Sequence, residues 1–213
     1  MSGSSLILVG GGGHCRSVID LVKSVGEFRI HGILDRQENI GKSVAGCTVI
    51  GTDSMISDLV REGHSFLITA GQVDRSPLRK ELFDAVRSAG GELVTIVSPQ
   101  AYVVTGVELG AGCTIGHGAV VNSGARIGDN CIVNTGAIIE HDALVGSHCH
   151  IATGAIVNGG CTIGTACMIG SRAVLLQGIH VGAECVVGAG AVVLRDVTPG
   201  LTVVGVPANS ITK

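Results

Sequence analysis

Residues 109–193, written in blocks of six, read LGAGCT IGHGAV VNSGAR IGDNCI VNTGAI IEHDAL VGSHCH IATGAI VNGGCT IGTACM IGSRAV LLQGIH VGAECV VGAGAV V. Every block opens with a branched aliphatic, from Leu109 through Ile127, Val145, Ile163 and Val181 to Val193. Two residues before each stands a small side chain, Cys or Ala, interrupted only at Val107 and Ile179. Gly or Asn usually follows the aliphatic, as in Ile115-Gly116, Val133-Asn134 and Val187-Gly188. A period of six fits neither a 3.6-residue helix nor an alternating strand, so it marks a repeat architecture. Residues two apart on a strand face the same side, which turns the small residue and the aliphatic inward together. The Gly or Asn after them is expected to take the left-handed dihedrals of a corner. Three such faces per coil build a triangular parallel β-helix of about five coils, with an aliphatic ladder along its axis.

The whole chain sets further bounds. With 213 residues there is room for one large or two small domains. Aromatics are 2% and Trp is absent, while Gly numbers 34, so the core is built of small and branched side chains, as narrow coils require. The formal net charge is −3, and the second half holds only Arg126, Arg172, Arg195 and Lys213 as basic residues. That excludes a nucleic-acid or anionic-membrane surface, which needs clustered Lys and Arg. The run Leu6–Val9 is too short for a signal segment, and no run reaches the length of a membrane span, so a cytoplasmic protein is expected. Of the eight cysteines, Cys113, Cys131, Cys149, Cys161, Cys167 and Cys185 fall in the small inward column, and no CxxC pair exists. They read as reduced, buried structural thiols rather than as disulfides or metal ligands.

The first 97 residues have a different rhythm, so an α/β domain is expected over 1–97 and the β-helix over 98–213. Ser5–Val9 is a continuous apolar run suited to a buried parallel strand. It leads into Gly10-Gly11-Gly12-Gly13-His14 and a helical pattern through Val18, Ile19, Leu21, Val22 and Val25. Further strands are expected over Ile30–Leu34, Phe66–Ala70 and Leu93–Val97, with an amphipathic helix over Leu78–Ala89. Strands alternating with helices make a small parallel sheet of the Rossmann-like, nucleotide-binding type. Gly11 and Gly13, between a strand and a helix, present bare amides at a helix N-terminus that can cradle a phosphate. Asp35 ends the second strand, where an acidic residue can bind a ribose or sugar hydroxyl. Arg16 stands in place of the third glycine of the dinucleotide fingerprint, so a full NAD site is not expected, and a plain glycine turn stays open as the other reading.

A small α/β domain with a glycine-rich turn and His, followed by a hexapeptide prism, resembles the hexapeptide-repeat sugar O-/N-acyltransferases of the NeuD/PglD type. The resemblance covers the whole chain. It implies a left-handed β-helix, against the general preference for right-handed crossovers. It further implies a homotrimer with sites in the clefts between prisms, acetyl-CoA as cosubstrate and no metal. Within the group the chain looks most like enzymes that acetylate the 4-amino group of a nucleotide-linked 4-amino-6-deoxy sugar, with UDP the favoured carrier. There the amine attacks the thioester directly, the N-terminal domain holds the nucleotide-sugar, and the prism holds acetyl-CoA.

The repeat breaks chemically at Glu140-His141-Asp142, where ionisable residues replace small ones. An attacking amine or hydroxyl needs a base to take its proton, histidine titrates near neutrality, and a carboxylate beside it can hold its tautomer. Alternation would turn His141 inward like Ile139, so a bend after Glu140 must carry it to a corner. A solvated corner is the other reading of the triplet. On the resemblance, His141 matches the general base and Asp142 its supporting acid, with Glu140 completing the triplet. His150 matches a contact to acetyl-CoA near the thioester, and a polar side chain filling a coil corner is its bland alternative. Ser171 and Ala189 match the pantetheine groove, and Gly205-Val206-Pro207-Ala208 resembles the C-terminal cap near the CoA adenine. Asn209 stands where the family often has Lys, which leaves Arg172, Arg195 and Lys213 as candidates for the CoA phosphates. Gly12, Gly13 and His14 match first-turn contacts to the nucleotide-sugar, Asp35 and Arg36 those after the second strand, and Gly71 the third-strand turn. Cys15 replaces the family's Gly or Ala.

Three other readings stand beside this one. A sialic-acid-type sugar O-acetyltransferase would use the same base on a hydroxyl. A γ-carbonic-anhydrase-like prism would need three histidines converging on zinc, yet by hexad position His117 pairs only with His141, and His150 only with His180. A non-catalytic trimeric scaffold would bind no acetyl-CoA.

Overall fold

Each hexad contributes a two-residue strand, and each strand pairs in parallel with the one a full coil later. Ile115 pairs with Val133, Val133 with Ile151, Ile151 with Ile169, and Ile169 with Val187. The computed structural model, which describes residues 4–73 and 77–211, assembles these strands into three sheets of eight, six and five strands. From Ile115 to Val193 no rung of the aliphatic ladder is more than 4% exposed, and the small column between the rungs is equally buried. Burying one such side chain is worth about 1.5–3 kcal/mol, so the ladder is the main source of the prism's stability. Ile179, one of the two large residues in the small column, is still buried, and Val107 packs against the core. The eight-stranded sheet ends with Thr202–Val204, on which Asn209–Ile211 folds back antiparallel.

The corners work differently from the sequence expectation. The left-handed residue is not the one after the aliphatic but the one three places on. Gly112, Gly118 and Gly136 take φ of 64–69° there, and Asn130, Asp142, His148, Ala166, Arg172 and Glu184 take 56–61°. Glycine directly after the aliphatic answers a steric need instead. A Cβ on Gly110, Gly128, Gly164 or Gly170 would lie 2.5–2.6 Å from a backbone nitrogen of the next coil. After the five-stranded sheet this position is always glycine (Gly110, Gly128, Gly146, Gly164, Gly182). After the six-stranded sheet it never is: Val104, Asn122, Glu140, Asn158, Leu176 and Leu194 stand there. That roomier edge is the one that carries the ionisable triplet.

None of the eight cysteines is in a disulfide, and five of them stack one per coil. The thiols of Cys113, Cys131, Cys149 and Cys167 donate to the carbonyls of Gly128, Gly146, Gly164 and Gly182 at 3.0–3.2 Å. The column thus satisfies inward-facing corner carbonyls that alanine would leave bare. Burial pushes the Cys131 thiol well above its ordinary range.

The preceding unit is a six-stranded sheet. Its elements are β1 (Ser4–Val9), α1 (Gly13–Val25), β2 (Phe28–Leu34), β3 (Ser43–Val44), β4 (Cys47–Gly51), α2 (Ile56–Arg61), β5 (Ser65–Ile68), α3 (Leu78–Ser88) and β6 (Glu92–Leu93). The order is β3-β4-β2-β1-β5-β6, parallel except for the β3–β4 hairpin. Both faces of β1 are covered: Leu6 and Leu8 pack with Val18, Ile19 and Val22 of α1, while Ile7 and Val9 pack with Phe83 and Val86 of α3. This is why β1 reads as an unbroken apolar run. The single strand expected over Leu93–Val97 is two: β6 pairs with β5, and Ile96–Val97 opens the eight-stranded sheet of the prism. Among the described residues the contacts divide the chain between Ile96 and Val97, and Gln72 and Val73 group with the second unit. No helix among them is long and apolar enough to cross a membrane.

Candidate active site

At the edge after the six-stranded sheet, the chain turns immediately beyond Ile139 and carries His141 outward, leaving its side chain 55% exposed. The backbone is pinned on both sides, by Asp142 N–H donating to Ser123 O (3.0 Å) and Gly160 N–H donating to His141 O (2.9 Å). Asp142 occupies the left-handed corner position, a conformation Asp tolerates. There its carboxylate meets the ring, with His141 Nδ1 2.9 Å from Asp142 Oδ2. The carboxylate only accepts, so Nδ1 carries the hydrogen and Nε2 is left as the basic nitrogen. Glu140 does not touch the ring: its carboxylate accepts from Asn122 Nδ2 at 2.8 Å, one coil back.

Two glycines shape the seat of this pair. A Cβ on Gly159 would lie 2.5 Å from His141 Nε2 and 2.6 Å from Cε1. A Cβ on Gly124 would lie 2.4 Å from Asp142 Oδ1. The imidazole rests against the bare Cα of one coil and the carboxylate against that of another.

Ser171 and Ala189 sit on successive coils at a different edge, both exposed, with Gly190 N–H donating to Ser171 O at 2.8 Å. His150 lies not at a corner but on the outer face of the eight-stranded sheet, only 8% exposed. Asn134 Oδ1 accepts from Thr135 N–H, which turns its amide nitrogen toward His150 Nε2 at 3.2 Å. His150 Nδ1 then donates to the Gln72 carbonyl at 2.7 Å. Both ring nitrogens are engaged. The hexad equivalences do not survive the three-sided geometry. His117 lies on another edge than His141, with Nδ1 2.7 Å from Ser98 Oγ, and His180 lies on another sheet than His150. Among the described residues no group of three or more His, Cys, Asp or Glu is placed to hold a metal. Arg172 and Arg195 are exposed; Lys213 falls outside the described residues.

In the α/β unit the carboxyl ends of β1, β2 and β5 open onto a crevice, where parallel sheets bind ligands. Gly10 has φ 106°, and a Cβ there would lie 2.5 Å from Ala70 N; a Cβ on Gly11 would lie 2.6 Å from Asp35 Oδ2. Gly12 and Gly13, by contrast, face open space at the start of α1. Asp35 is fixed by Asn39 Nδ2 at 2.9 Å, and Arg36 is exposed beside it. One hollow of about 330 Å³ is lined by Gly12, Asp35, Arg36 and Gly71; Gly13 and His14 are not among its walls. His14 packs its Cβ against Gly71, where a side chain would crowd it at 3.3 Å. Cys15 is fully buried behind the turn, and burial raises its thiol to about 11. Arg79, 1% exposed, ties down the end of β5 by donating to the carbonyls of Ile68 (2.6 Å) and Ala70 (2.9 Å).

Residues 5–86 match the family described as PglD N-terminal domain, and residues 101–123, 106–141 and 160–195 match the hexapeptide repeat of succinyl-transferase. The structure superposes with a TM-score of 0.92 on a His→Asn variant of perosamine N-acetyltransferase from Caulobacter crescentus, in complex with CoA and GDP-perosamine. The two are 32% identical over 99% of this chain and 98% of that one. The chain belongs to the PglD-type family of hexapeptide-repeat sugar acyltransferases. The acetyltransferase domain of PglB from Neisseria gonorrhoeae FA1090, in complex with acetyl coenzyme A, is 31% identical over 99% of this chain and 100% of that one, with a TM-score of 0.90. WeeI from Acinetobacter baumannii AYE, 24% identical with a TM-score of 0.84 over 98% and 100% of the two chains, shares the fold. A search of curated proteins gave no match.

As a PglD-type acyltransferase the chain carries a left-handed parallel β-helix behind an α/β domain. Three residues that shape the triplet escaped the sequence reading: Asn122, which holds Glu140, and Gly124 and Gly159, which seat Asp142 and His141. Each lies eighteen residues from a member of the triplet, so listing the coil neighbours of Glu140, His141 and Asp142 would have found them.

Proposed function

We propose that this chain is an acetyl-CoA-dependent N-acetyltransferase acting on the 4-amino group of a 4-amino-6-deoxy sugar linked to a nucleoside diphosphate. The observation that carries the reading is the His141–Asp142 pair, its Nε2 set outward against Gly159 on the edge that bears side chains instead of glycine. The Caulobacter enzyme, crystallised with His→Asn and His→Ala replacements beside CoA and GDP-perosamine, supports a histidine of interest in this family.

In the reaction, the neutral sugar amine attacks the thioester carbonyl of acetyl-CoA and the C–N bond forms. His141 Nε2 takes the proton that the nitrogen sheds, while Asp142 holds the ring and faces the positive charge it acquires. The C–S bond then breaks, and the imidazolium returns its proton to the departing thiolate. No covalent enzyme intermediate is required. Glu140, held by Asn122, supplies a second carboxylate beside the base that can receive the ammonium form of the acceptor. Ser171 and Ala189 line the pantetheine groove, and His150 contributes a ring face near the thioester rather than a free nitrogen. Arg172 and Arg195 serve the CoA phosphates. Gly12, Gly13, His14, Asp35, Arg36 and Gly71 form the nucleotide-sugar site of the domain over 1–97, and the prism over 98–213 forms the acetyl-CoA site of a cytoplasmic homotrimer.

The test is acetyl transfer from acetyl-CoA to a panel of UDP- and GDP-4-amino-6-deoxy sugars, followed by product mass, with His141→Ala beside the wild type. Turnover of one amino-sugar that falls 100-fold or more in the variant is expected. Silence on every amine with turnover of a sialic-acid hydroxyl would move the chain to O-acetylation.

A further inference from the structure

We propose that the larger hollow of the α/β unit selects guanine as the nucleobase of the substrate, with Asp53 as the group that reads it. The inference rests on the nucleotide-sugar reading above and concerns only which base the sugar carries. Two hollows at the carboxyl ends of the strands share Gly10, Asp35, Arg36, Ala70 and Leu78. The smaller reaches the glycine turn at the start of α1, where bare amides and the helix N-terminus suit a diphosphate. The larger, about 400 Å³, runs the other way over Val9, Leu34 and Leu82 to Gln37, Thr52 and Asp53. Asp35 borders both, and the carboxylate oxygen not held by Asn39 is available to a ribose hydroxyl there. A nucleoside diphosphate laid across the pair, with its phosphates on the glycines and its ribose at Asp35, puts its base in the larger hollow on an apolar floor.

The polar rim of that hollow decides between bases. Asp53 opens a short 3-10 turn (Asp53–Met55), and the neighbouring Thr52 hydroxyl is engaged with Ser54 Oγ at 2.7 Å. A carboxylate is acceptor-only and takes two parallel donors. Guanine presents N1–H and N2–H side by side, with O6 beyond them for the donors of Gln37 or Arg36. Uracil presents one N–H between two carbonyl oxygens, so a carboxylate facing that edge meets one attraction and two repulsions. On this proposal the carrier is GDP, where the family resemblance favours UDP.

Titration calorimetry of the full chain with GDP, with IDP (which lacks the N2 amino group) and with UDP tests the assignment on wild type, Asp53→Ala and Asp53→Asn. Acetyl transfer to GDP- and UDP-linked 4-amino sugars is run in parallel. GDP is expected to bind roughly 5- to 150-fold more tightly than IDP or UDP, the range a bidentate base contact commands. Asp53→Ala should bring GDP down to the level of IDP and leave UDP unchanged. UDP binding as tightly as GDP, or an equal loss of all three nucleotides in the Asp53 variants, would overturn the proposal. The GDP-against-IDP comparison on wild type decides it even if both variants fail to fold. Acetylation of a UDP-amino sugar with no guanine preference would leave the reaction standing and only the base wrong. No acetylation of any amino sugar, with GDP still bound more tightly than IDP and UDP, would remove the reaction and leave the base assignment standing.

Discussion

Replacing Gly159 by Ala probes the active edge without touching an ionisable group. The added Cβ would lie 2.5 Å from His141 Nε2, whereas ordinary contact begins near 3.4 Å, so the ring must retreat by about 1 Å. The yielding group is the far end of a side chain rather than backbone, and Gly159 lies outside the left-handed region, so the fold should accept alanine. A displacement of that size at a reacting nitrogen costs about 100-fold in rate, equivalent to about 2.7 kcal/mol. We therefore expect kcat to fall about 100-fold, with KM for acetyl-CoA changed less than threefold and the melting temperature within a few degrees of wild type. The assay is acetyl transfer followed by product mass, which also avoids interference from the eight thiols. The decisive comparison is a double variant: with His141 already Ala there is no ring to displace, so Gly159→Ala should cost nothing further. A loss below threefold in the single variant, or the same 100-fold loss in the His141→Ala background, would refute the steric argument.

Further predictions concern the same framework. Asp142→Ala removes the carboxylate that holds the His141 ring and should lower kcat about 10- to 100-fold, whereas Glu140→Gln, which keeps a partner for Asn122, should leave the pH–rate profile in place. Pre-steady-state and pH–rate measurements on the two variants check this. Gly164→Ala drives a Cβ to 2.5 Å from the Ala183 backbone and should cost about 3 kcal/mol, while Gly178→Ala, left-handed but facing open space, should cost about 1 kcal/mol; thermal melting ranks them. Native protein should show fast thiol titration only at half-buried Cys47, and all eight thiols should react after unfolding. For Cys15 the folded thiol titrates near 11 against 9.0 when unfolded, because burial disfavours the thiolate. Its contribution is therefore complete below pH 9 and lost as pH rises toward 11. Alkaline melting curves should show this decline, and Cys15→Ala should lessen it, leaving the share of other buried thiols such as Cys131.

The aliphatic ladder was legible because one physical demand recurs every six residues: an inward rung in a core too narrow for aromatics. The triplet was legible because three ionisable residues interrupt that monotony. The left-handed corner residue was only partly legible: Gly holds it at most corners, but His, Ala, Arg and Glu occupy it too, so composition marks it incompletely. The glycines after the aliphatic were visible but misread, because a need for empty space above a neighbouring coil looks in sequence like a need for unusual dihedrals. Leu93–Val97 looked like one strand because five successive residues can all be extended; pairing partners elsewhere in the chain divide it.

From the sequence alone came the fold class and the ionisable triplet that holds the histidine proposed as base, because periodicity, glycine turns and a break in a repeat are properties of consecutive residues. Which acid holds His141, which coil seats the ring, and that His150 has both nitrogens engaged were decided only by the tertiary structure. The seat of the ring on Gly159 and the His150–Gln72 bond join residues a full coil or more apart. His141 and Asp142 are neighbours, but the turn that brings carboxylate to ring is pinned by bonds to Ser123 and Gly160 on other coils, which local preferences do not record.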